Sequence, residues 1–382
     1  QPEAHPGPGD LSRVDEQNES KDRIMEHAPL ISIIMPAHNA GRYIARAVES
    51  VIEQTWPHWE LIIVDDASTD DTADVVARYR YDARIRYHRA ERIGHPAGVR
   101  NMALRMAEGD LIAFLDADDE YFPRTLEKLS RPLRENSRLS AVYGFAFHID
   151  EHGLPLRPAV SLVPLPETLP DGGPDGGNLY ELPGGYSHSW GNIATSNISC
   201  LLPALMLRRS AWERIGFFNE ALCGPEDYEF YIRMYLDDYE GVHCLADYVY
   251  CYRVHAASLT KAPEHYERLL CSGLIIQDWL FQEAPIPDTV RRYKSRAYVG
   301  VYRYFARERL LHRQPELARE IACRAMTNPN VRWFDFMTGC LPIVLRSWLP
   351  GGLDARLVDL KWRLWRMKSM LSAQRQWSGT PS

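Results

Sequence analysis

An apolar run changes abruptly into three carboxylates in the stretch Leu111-Ile112-Ala113-Phe114-Leu115-Asp116-Ala117-Asp118-Asp119. A short apolar run bounded by Gly109 and Pro123 predicts a buried strand of a parallel sheet, covered on both faces. Ligands of such sheets collect at the carboxyl ends of the strands. Asp116 and Asp118 are two residues apart, so in an extended backbone their carboxylates leave the chain on the same side. The stretch therefore predicts a strand that brings acidic groups to a site.

Two interpretations of these carboxylates stay open at this point. In proteins, Mg²⁺ or Mn²⁺ is usually held by one or two carboxylates, and substrate phosphates and water complete the coordination. Acidic residues are also common at helix starts, and Pro123 begins a predicted helix through Glu127 and Leu129. The stretch by itself favours neither interpretation.

Strands alternate with helices around this stretch, which predicts an α/β fold with a mostly parallel sheet. Strands are predicted at residues 31–36, 60–64 and 85–87, and a helix from Ala97 to Ala107 leads into the acidic strand. Acidic residues recur after the second of these strands, in the pair Asp65-Asp66. Because the carboxyl ends of parallel strands meet at one edge, this repetition favours a shared site over independent helix caps.

Composition narrows the class of protein. The chain has 382 residues, 45% hydrophobic and 25% charged, which fits one large or two ordinary globular domains. A net charge of −7 argues against a nucleic-acid-binding protein, which normally carries a basic face. Seven cysteines without a C-x-x-C pair predict free thiols in a reducing compartment. With neither a long apolar run nor a signal-peptide pattern, the sequence predicts a cytoplasmic enzyme.

Several motifs, taken in order, resemble the inverting family 2 glycosyltransferases of the GT-A fold. They are Pro36-Ala37-His38-Asn39, Val64-Asp65-Asp66-Ala67-Ser68-Thr69-Asp70, Gly98-Val99-Arg100-Asn101, Leu115-Asp116-Ala117-Asp118-Asp119 and the pair Glu226-Asp227. The resemblance covers roughly residues 30–260. It implies a Rossmann-like GT-A domain, a mostly parallel sheet covered by helices, here followed by a C-terminal α-helical extension.

The resemblance also implies roles for the matching residues. Asp65 is the acid that contacts the nucleobase or ribose, Asp116 contacts the ribose, and Asp118 holds a divalent metal. Asp227 is the catalytic base. The remaining donor-site positions are Pro36, Ala37, Asn39, Arg100 and Ala117. Two alternatives stay open: Arg100 as a solvated helix residue, and Glu226 with Asp227 as acids that complement a helix dipole.

The segment Tyr252-Arg253-Val254-His255-Ala256-Ala257-Ser258 follows a predicted strand at residues 242–250. It resembles the segment that closes many related donor sites, which implies donor contacts for Arg253 and Ser258. A neutral imidazole can complete a divalent metal site, and the planar arginine fork can pair with a diphosphate. His255 is therefore the predicted second metal residue, and a purely structural histidine is the alternative.

The predicted function is transfer of a sugar, with inversion, from a nucleoside diphosphate sugar to an acceptor hydroxyl of a glycan or glycolipid. Mn²⁺ or Mg²⁺ is the predicted cofactor, and UDP is the nucleotide preferred by resemblance. One rival is a nucleotidyltransferase, which needs a glycine-rich triphosphate loop that residues 36–39 do not provide. The other rival is a non-catalytic scaffold of the same fold. The oligomeric state is left open.

The predicted organisation has four parts. Residues 1–28 form a flexible tail, 29–260 the GT-A domain, 261–330 a helical accessory domain, and 331–382 an amphipathic C-terminal region. Residues 151–195 are rich in proline and glycine and are interpreted as an acceptor-side loop, with a disordered insertion as the alternative.

An apolar stripe in the C-terminal region lies among basic residues and tryptophans. It consists of Leu357, Leu360, Leu364, Met367 and Leu371. The pattern predicts either peripheral contact with the anionic inner face of the cell membrane or a helix packed on the protein's own core.

Overall fold

The computed structural model of the chain describes residues 28–155, 201–255 and 266–348, except residues 223 and 312. They fall into two compact units, the first up to residue 255 and the second from residue 266. The predicted tail, most of the proline- and glycine-rich loop, Ser258 and the apolar stripe of the C-terminal region lie outside these residues. The three boundaries between the four predicted parts stay predictions.

The first unit is built on an eight-stranded sheet with the order β3-β2-β1-β4-β7-β6-β8-β5. The strands are β1 (Ile31–Ala37), β2 (Trp59–Asp66), β3 (Ile85–Ala90), β4 (Leu111–Phe114), β5 (Glu120–Tyr121), β6 (Ala141–Asp150), β7 (Leu205–Arg208) and β8 (Val242–Val254). β1, β2, β3 and β4 form a parallel block, whereas β7 runs antiparallel to both β4 and β6. The sheet confirms the predicted mixed α/β class.

Helices connect these strands and supply their apolar faces to the sheet. They are α1 (Ile44–Ile52), α2 (Thr72–Ala77), α3 (Pro96–Met106), α4 (Thr125–Glu135), α5 (Arg209–Ile215) and α6 (Glu226–Asp237). Every residue of β2 and β4 is buried. This is the near-continuous apolar pattern of parallel strands that are covered on both sides.

The carboxyl ends of β1, β2 and β4 lie at one edge of the sheet. Ala37 is in register with Asp65, and Ile34 is in register with Phe114. Just past β1 and β2 the backbone turns through left-handed conformations, with φ of 48° at Asn39 and 53° at Ala67. Such conformations are uncommon for residues other than glycine and tend to cluster at functional sites. They mark this edge as a candidate site.

The later strands of the first unit differ from the sequence predictions. β5, β6 and β7 were not predicted as strands, and β8 continues to Val254 rather than ending at residue 250. The reason for the longer strand is its partner, because β6 pairs with β8 as far as Asp150 and Val254. Arg253 is therefore part of the strand, whereas His255 lies just beyond its last residue.

The second unit is helical in the part that the structure describes. Its helices are α7 (Tyr266–Gln282), α8 (Asp288–Arg291), α9 (Lys294–Leu311), α10 (Pro315–Thr327), α11 (Trp333–Gly339) and α12 (Leu341–Arg346). They bury a shared core that includes Leu270, Val301, Ile321 and Phe336. This confirms the predicted helical extension. No helix within residues 28–155, 201–255 and 266–348 has the length and apolar character needed to span a membrane.

Candidate active site

Asp65 is the last residue but one of β2 and is buried, and two hydrogen bonds hold its side chain. Its Oδ1 accepts from the backbone N–H of Ser68 at 2.8 Å, and its Oδ2 accepts from the Tyr87 hydroxyl at 2.5 Å. Burial and this hydrogen bond to Asp65 raise the pKa of Tyr87, so the hydroxyl stays a donor. Asp65 thus has a fixed orientation at the predicted edge, and its contact with a nucleotide stays a prediction.

The first predicted motif is bound directly to the second. The backbone N–H of Asn39 donates to Ser68 Oγ at 2.8 Å, and Asn39 Oδ1 accepts from the backbone N–H of Thr69 at 2.8 Å. Pro36 and Ala37 form the end of β1 beside them. The residues predicted to line one side of a nucleotide pocket therefore form one connected turn.

Asp66, to which the sequence analysis assigned no role, organises the next loop. Its carboxylate accepts hydrogen bonds from the backbone N–H of Ile93 at 2.5 Å and of Gly94 at 3.0 Å, and it pairs with Arg92 at 2.8 Å. This loop leads into α3, where His95 Nδ1 accepts from the backbone N–H of Gly98 at 3.0 Å. Asp66 thereby helps to set where α3 begins.

Arg100 of α3 joins two acidic motifs that are far apart in the sequence. Its Nη2 donates to Asp116 Oδ1 at 2.8 Å, and its Nη1 donates to Glu226 Oε1 at 2.7 Å. The Arg100 side chain is only 8% exposed, which excludes the alternative of a solvated helix residue. Burial opposes its charge, but Asp116 and Glu226 raise the pKa of Arg100, which stays a cation.

Glu226 and Asp227 form the first turn of α6 beside this guanidinium. Burial raises the pKa of Glu226 to about 7, against the lowering effect of Arg100, and the charge of Asp227 adds to the rise. Burial also raises the pKa of Asp227, again opposed by Arg100. Buried acids with raised pKa values next to a specific charge are typical of functional sites. Complementation of the helix dipole remains compatible with the same position.

Asn101 fastens the turn that precedes α6. Its Nδ2 donates to the Phe218 carbonyl at 2.9 Å and to Glu220 Oε1 at 2.8 Å, while its Oδ1 accepts from the backbone N–H of Phe218 at 2.9 Å. Neighbouring residues of α3, Arg100 and Asn101, therefore hold the segment that carries the Glu-Asp pair. The sequence analysis quoted Asn101 within a motif but assigned it no role.

Asp118 and His255, the two predicted metal residues, lie side by side. His255 Nε2 is 2.8 Å from Asp118 Oδ2, and the two side chains are 8% and 35% exposed. No group of three or more His, Cys, Asp or Glu suited to a metal ion occurs in the part of the chain that the structure describes. A divalent cation at this pair would therefore need further ligands from substrate oxygens and water.

Asp119 supplies a buried oxygen in the same turn. Its Oδ1 accepts from the backbone N–H of Arg253 at 2.8 Å, whereas its Oδ2 has no hydrogen-bond partner among the described residues. Burial raises the pKa of Asp119 well above its ordinary value, and the charges of Asp118 and Asp116 add to this. A buried carboxyl oxygen without a partner is the kind of group that a nearby cation can stabilise.

Arg253 is buried and binds the protein itself. Its Nε donates to the Asp118 carbonyl at 2.8 Å, its Nη1 donates to the Asp150 carbonyl at 3.1 Å, and its Nη2 pairs with Glu120. These contacts give Arg253 a role in holding the acidic turn. Its predicted contact with a diphosphate stays a prediction, as does the donor contact of Ser258.

The family model and the two relatives described here are glycosyltransferases. Residues 32–178 match the family model described as glycosyl transferase family 2. The chain is 40% identical over 142 residues to the putative teichuronic acid biosynthesis glycosyltransferase TuaG of Bacillus subtilis, covering 37% of this chain and 55% of that protein. It is 42% identical over 116 residues to the UDP-Glc:alpha-D-GlcNAc-diphosphoundecaprenol beta-1,3-glucosyltransferase WfgD of Escherichia coli, covering 30% and 45%. The chain thus spans about half the length of these relatives.

Solved glycosyltransferase structures share the fold. S. aureus TarS 1-349 in complex with UDP-GlcNAc has a TM-score of 0.54 and 18% identity, over 83% of this chain and 90% of that chain. The mannosyltransferase PcManGT from Pyrobaculum calidifontis, in complex with GDP-Man and Mn²⁺, has a TM-score of 0.52 and 16% identity, over 88% of each chain. At these identities the likeness concerns the fold, which is GT-A.

Proposed function

Because residues 32–178 match the family model of glycosyl transferase family 2, we propose that the chain transfers a sugar, with inversion, from a nucleoside diphosphate sugar to an acceptor hydroxyl. The observation that carries the proposal is the Arg100 bridge. One buried guanidinium holds Asp116 of the donor motif and Glu226 of the proposed acceptor-activating motif. A transferase needs its donor and its base close to each other, because the positioning of the reacting groups accounts for much of the rate enhancement.

The proposed donor site lies at the ends of β1, β2 and β4. Asp65 contacts the nucleobase or ribose and Asp116 the ribose, while Pro36, Ala37, Asn39, Arg100 and Ala117 line the pocket. The proposal of a UDP-sugar is supported by the UDP-GlcNAc in the TarS structure and by the UDP-Glc in the name of WfgD. GDP is the competing nucleotide, since PcManGT is described with GDP-Man.

The chemistry of the donor set fits Mn²⁺ or Mg²⁺ at Asp118 and His255. Carboxylate and imidazole are suitable ligands, their atoms lie 2.8 Å apart, and Asp119 Oδ2 adds a buried oxygen that lacks a partner among the described residues. When bound, the cation would neutralise charge on the diphosphate leaving group. The protein's own contribution is to hold Asp118 in place through the hydrogen bond from Arg253 Nε to its carbonyl.

Asp227 is the proposed base that accepts the proton of the acceptor hydroxyl. One displacement opposite the leaving group inverts the configuration and needs no covalent intermediate. Glu226 is the competing candidate, but its Oε1 is already engaged by Arg100. Adjacent helical residues point about 100° apart, so one hydroxyl is not expected to reach both carboxyl groups. The pairing of Glu226 with Arg100 therefore favours Asp227.

The donor proposal is tested by a melting-temperature screen of UDP, GDP and dTDP sugars with Mn²⁺, since a ligand that binds only the folded state raises the melting temperature. We expect Asp118→Ala to abolish the Mn²⁺-dependent part of UDP affinity while the unliganded protein melts at nearly the same temperature. Unchanged metal-dependent affinity in calorimetry would contradict this assignment.

The base proposal is tested by Asp227→Asn, which keeps size and polarity but cannot accept the proton. We expect transfer to fall by about 10²–10⁴, the usual contribution of general-base catalysis, with near-normal binding of UDP and Mn²⁺. Glu226→Gln is measured in parallel as the matched neighbour. If Glu226→Gln alone loses turnover, the base has been assigned to the wrong residue.

For the acceptor we propose a glycan or lipid-linked glycan, supported by the lipid-linked acceptor in the name of WfgD. A cytoplasmic location and peripheral contact with the anionic inner face of the membrane stay predictions, because the apolar stripe that motivates the contact lies outside the described residues.

A further inference from the structure

The second unit contains a cavity of about 410 Å³ with an unusual lining of three arginines, two aromatic residues and one carboxylate. These residues are Arg292, Tyr293, Arg296, Arg332, Phe334 and Asp335. We propose that this cavity binds an anionic sugar, meaning a sugar unit that carries a phosphate or a carboxylate. Its volume lies in the usual range for small-molecule sites, about 300–1,000 Å³.

The charge of the lining favours an anion. Three guanidinium groups face one carboxylate, so the cavity is cationic although the whole chain carries a net charge of −7. Such a local cationic cleft concentrates anions from solution. Arg296 and Arg332 are 63% and 69% exposed, so a ligand can reach both side chains.

The arginines are oriented by contacts that use only some of their donors. Asp335 is largely buried and lies 3.4 Å from Arg296 Nε and 3.6 Å from Arg332 Nε. Arg332 Nη2 donates to the Arg292 carbonyl at 3.2 Å, and Arg292 Nη2 donates to the Tyr293 hydroxyl at 2.9 Å. Each guanidinium has five N–H donors in a planar fork that matches a phosphate or a carboxylate. The cavity is therefore partly preorganised for such a group.

Aromatic side chains at the cavity favour a sugar over a bare anion. Phe334 and Tyr293 line it, and Phe334 is 70% exposed. An exposed aromatic face can pack against the C–H face of a sugar ring, and Asp335 can accept a hydrogen bond from a sugar hydroxyl. An anionic membrane surface is the other conceivable partner, but a concave cavity with a buried carboxylate suits a single sugar group better than a plane of lipid headgroups.

The binding inference does not rest on the proposed transfer reaction. If the binding inference and the proposed transfer reaction are both correct, the cavity is where the helical unit retains an anionic glycan acceptor. Either proposal can be wrong while the other is right.

The test is calorimetric titration of the full chain with glucose 6-phosphate, a glucuronate disaccharide, maltose, inorganic phosphate and phosphatidylglycerol vesicles. We expect the two anionic sugars to bind and maltose to bind at least about tenfold more weakly, because maltose offers the arginines no anionic partner. Arg292→Gln/Arg296→Gln should weaken the anionic sugars at least about tenfold, since hydrogen bonds to charged groups are among the strong ones.

Arg303→Gln/Arg307→Gln is the matched control, because it removes the same charge from exposed positions of the same unit that do not line the cavity. It should leave the affinity nearly unchanged. Phe334→Ala should weaken the sugar phosphate but not inorganic phosphate. Phe334 is exposed, so this substitution still tests the cavity if the double arginine variant proves to be unstable. Unchanged UDP affinity in each variant would show that the cavity is separate from the proposed donor site.

Three results would overturn the inference. The first is equal loss in the cavity and control variants, which means unspecific charge attraction. The second is binding to vesicles without binding to either soluble anionic sugar, which means a membrane surface. The third is no binding of the anionic sugars by the unmodified protein.

Discussion

Two buried arginines hold the same acidic turn, and they do so through different chemistry. Arg100 reaches the turn from α3 and bonds two carboxylates, those of Asp116 and Glu226. Arg253 reaches it from β8 and bonds the backbone carbonyls of Asp118 and Asp150, with Glu120 as its carboxylate partner. Arg100 therefore acts on the charge of the site, whereas Arg253 acts mainly on the path of the backbone.

Because their partners differ, Arg100 and Arg253 should respond differently to substitution by lysine. Carboxylates respond to any nearby positive charge, because Coulomb attraction depends on distance more than on direction. Carbonyl groups in separate segments need a donor that points at each of them. The rigid planar fork of arginine spreads its donors in fixed directions, whereas lysine presents its three donors from a single nitrogen on a flexible chain. Lysine should therefore replace Arg100 better than it replaces Arg253.

The largest effect is expected at Arg253. Arg253→Met removes the donors of two partly buried carbonyl contacts and leaves Glu120 with only the exposed Arg46, 3.5 Å away, so we expect a loss of about 3–5 kcal/mol in the free energy of unfolding. Arg253→Lys should recover less than half of it. Urea unfolding measures both values.

A surface arginine near the same edge is the control for this experiment. Arg42 pairs with Glu151 at 2.8 Å, but the two side chains are 59% and 47% exposed. Arg42→Met should cost less than about 1 kcal/mol. Similar losses at Arg42 and Arg253 would show that the carbonyl contacts contribute little.

A smaller effect is expected at Arg100. Arg100→Met leaves Asp116 and Glu226 without their cation, and we expect a loss of about 2–3 kcal/mol at pH 8, because Glu226 can escape part of the cost by taking up a proton. Arg100→Lys should recover more than half of the loss in urea unfolding. If lysine rescues Arg100 no better than Arg253, the distinction between charge and backbone geometry is wrong.

The smallest effect is a pH dependence that belongs to Glu226. Its folded pKa of about 7 lies above the ordinary value of 4.5, so folding takes up a proton between these pH values. The stability contributed by this group is therefore present below pH 4.5 and is lost as the pH rises toward and through 7. Glu226→Gln cannot titrate, so it should gain about 1–3 kcal/mol relative to the unmodified protein between pH 5 and pH 8.

Urea unfolding of both proteins across this pH range is the measurement. Arg100, Asp227 and Asp116 are the charged groups that act on Glu226 and the adjacent Asp227. A stability difference that stays constant from pH 5 to pH 8 would mean that Glu226 is ionised throughout, held so by Arg100.

Much of the fold could be predicted because its signals are local. The apolar runs that end in Asp65 and Asp116 identified the parallel strands, and helical spacing identified α3 to within about one residue, as such boundaries allow. β6 was missed and β8 was predicted too short. Their pairing is with each other, so neither the existence of one nor the end of the other depends on local pattern alone.

The candidate site likewise has a part that the sequence predicts and a part that it does not. Its acidic residues form recognisable motifs, and the resemblance by itself implies a common role for Asp118 and His255. The functions of the individual residues remain predictions. The sequence did not predict that Arg253 hydrogen-bonds to groups of the protein itself, because a sequence shows that an arginine is present but not which carbonyl groups surround it.

The sequence by itself determined the alternation of strands and helices, the acidic ends of the strands and the family resemblance, because these follow from residues that are neighbours in the chain. Only the tertiary structure decided which groups meet. Arg100 and Glu226 are 126 positions apart, and Asp118 and His255 are 137 apart. The order of strands in the sheet brings them together, and that order minimises the exposure of apolar surface over the whole unit rather than over any one segment.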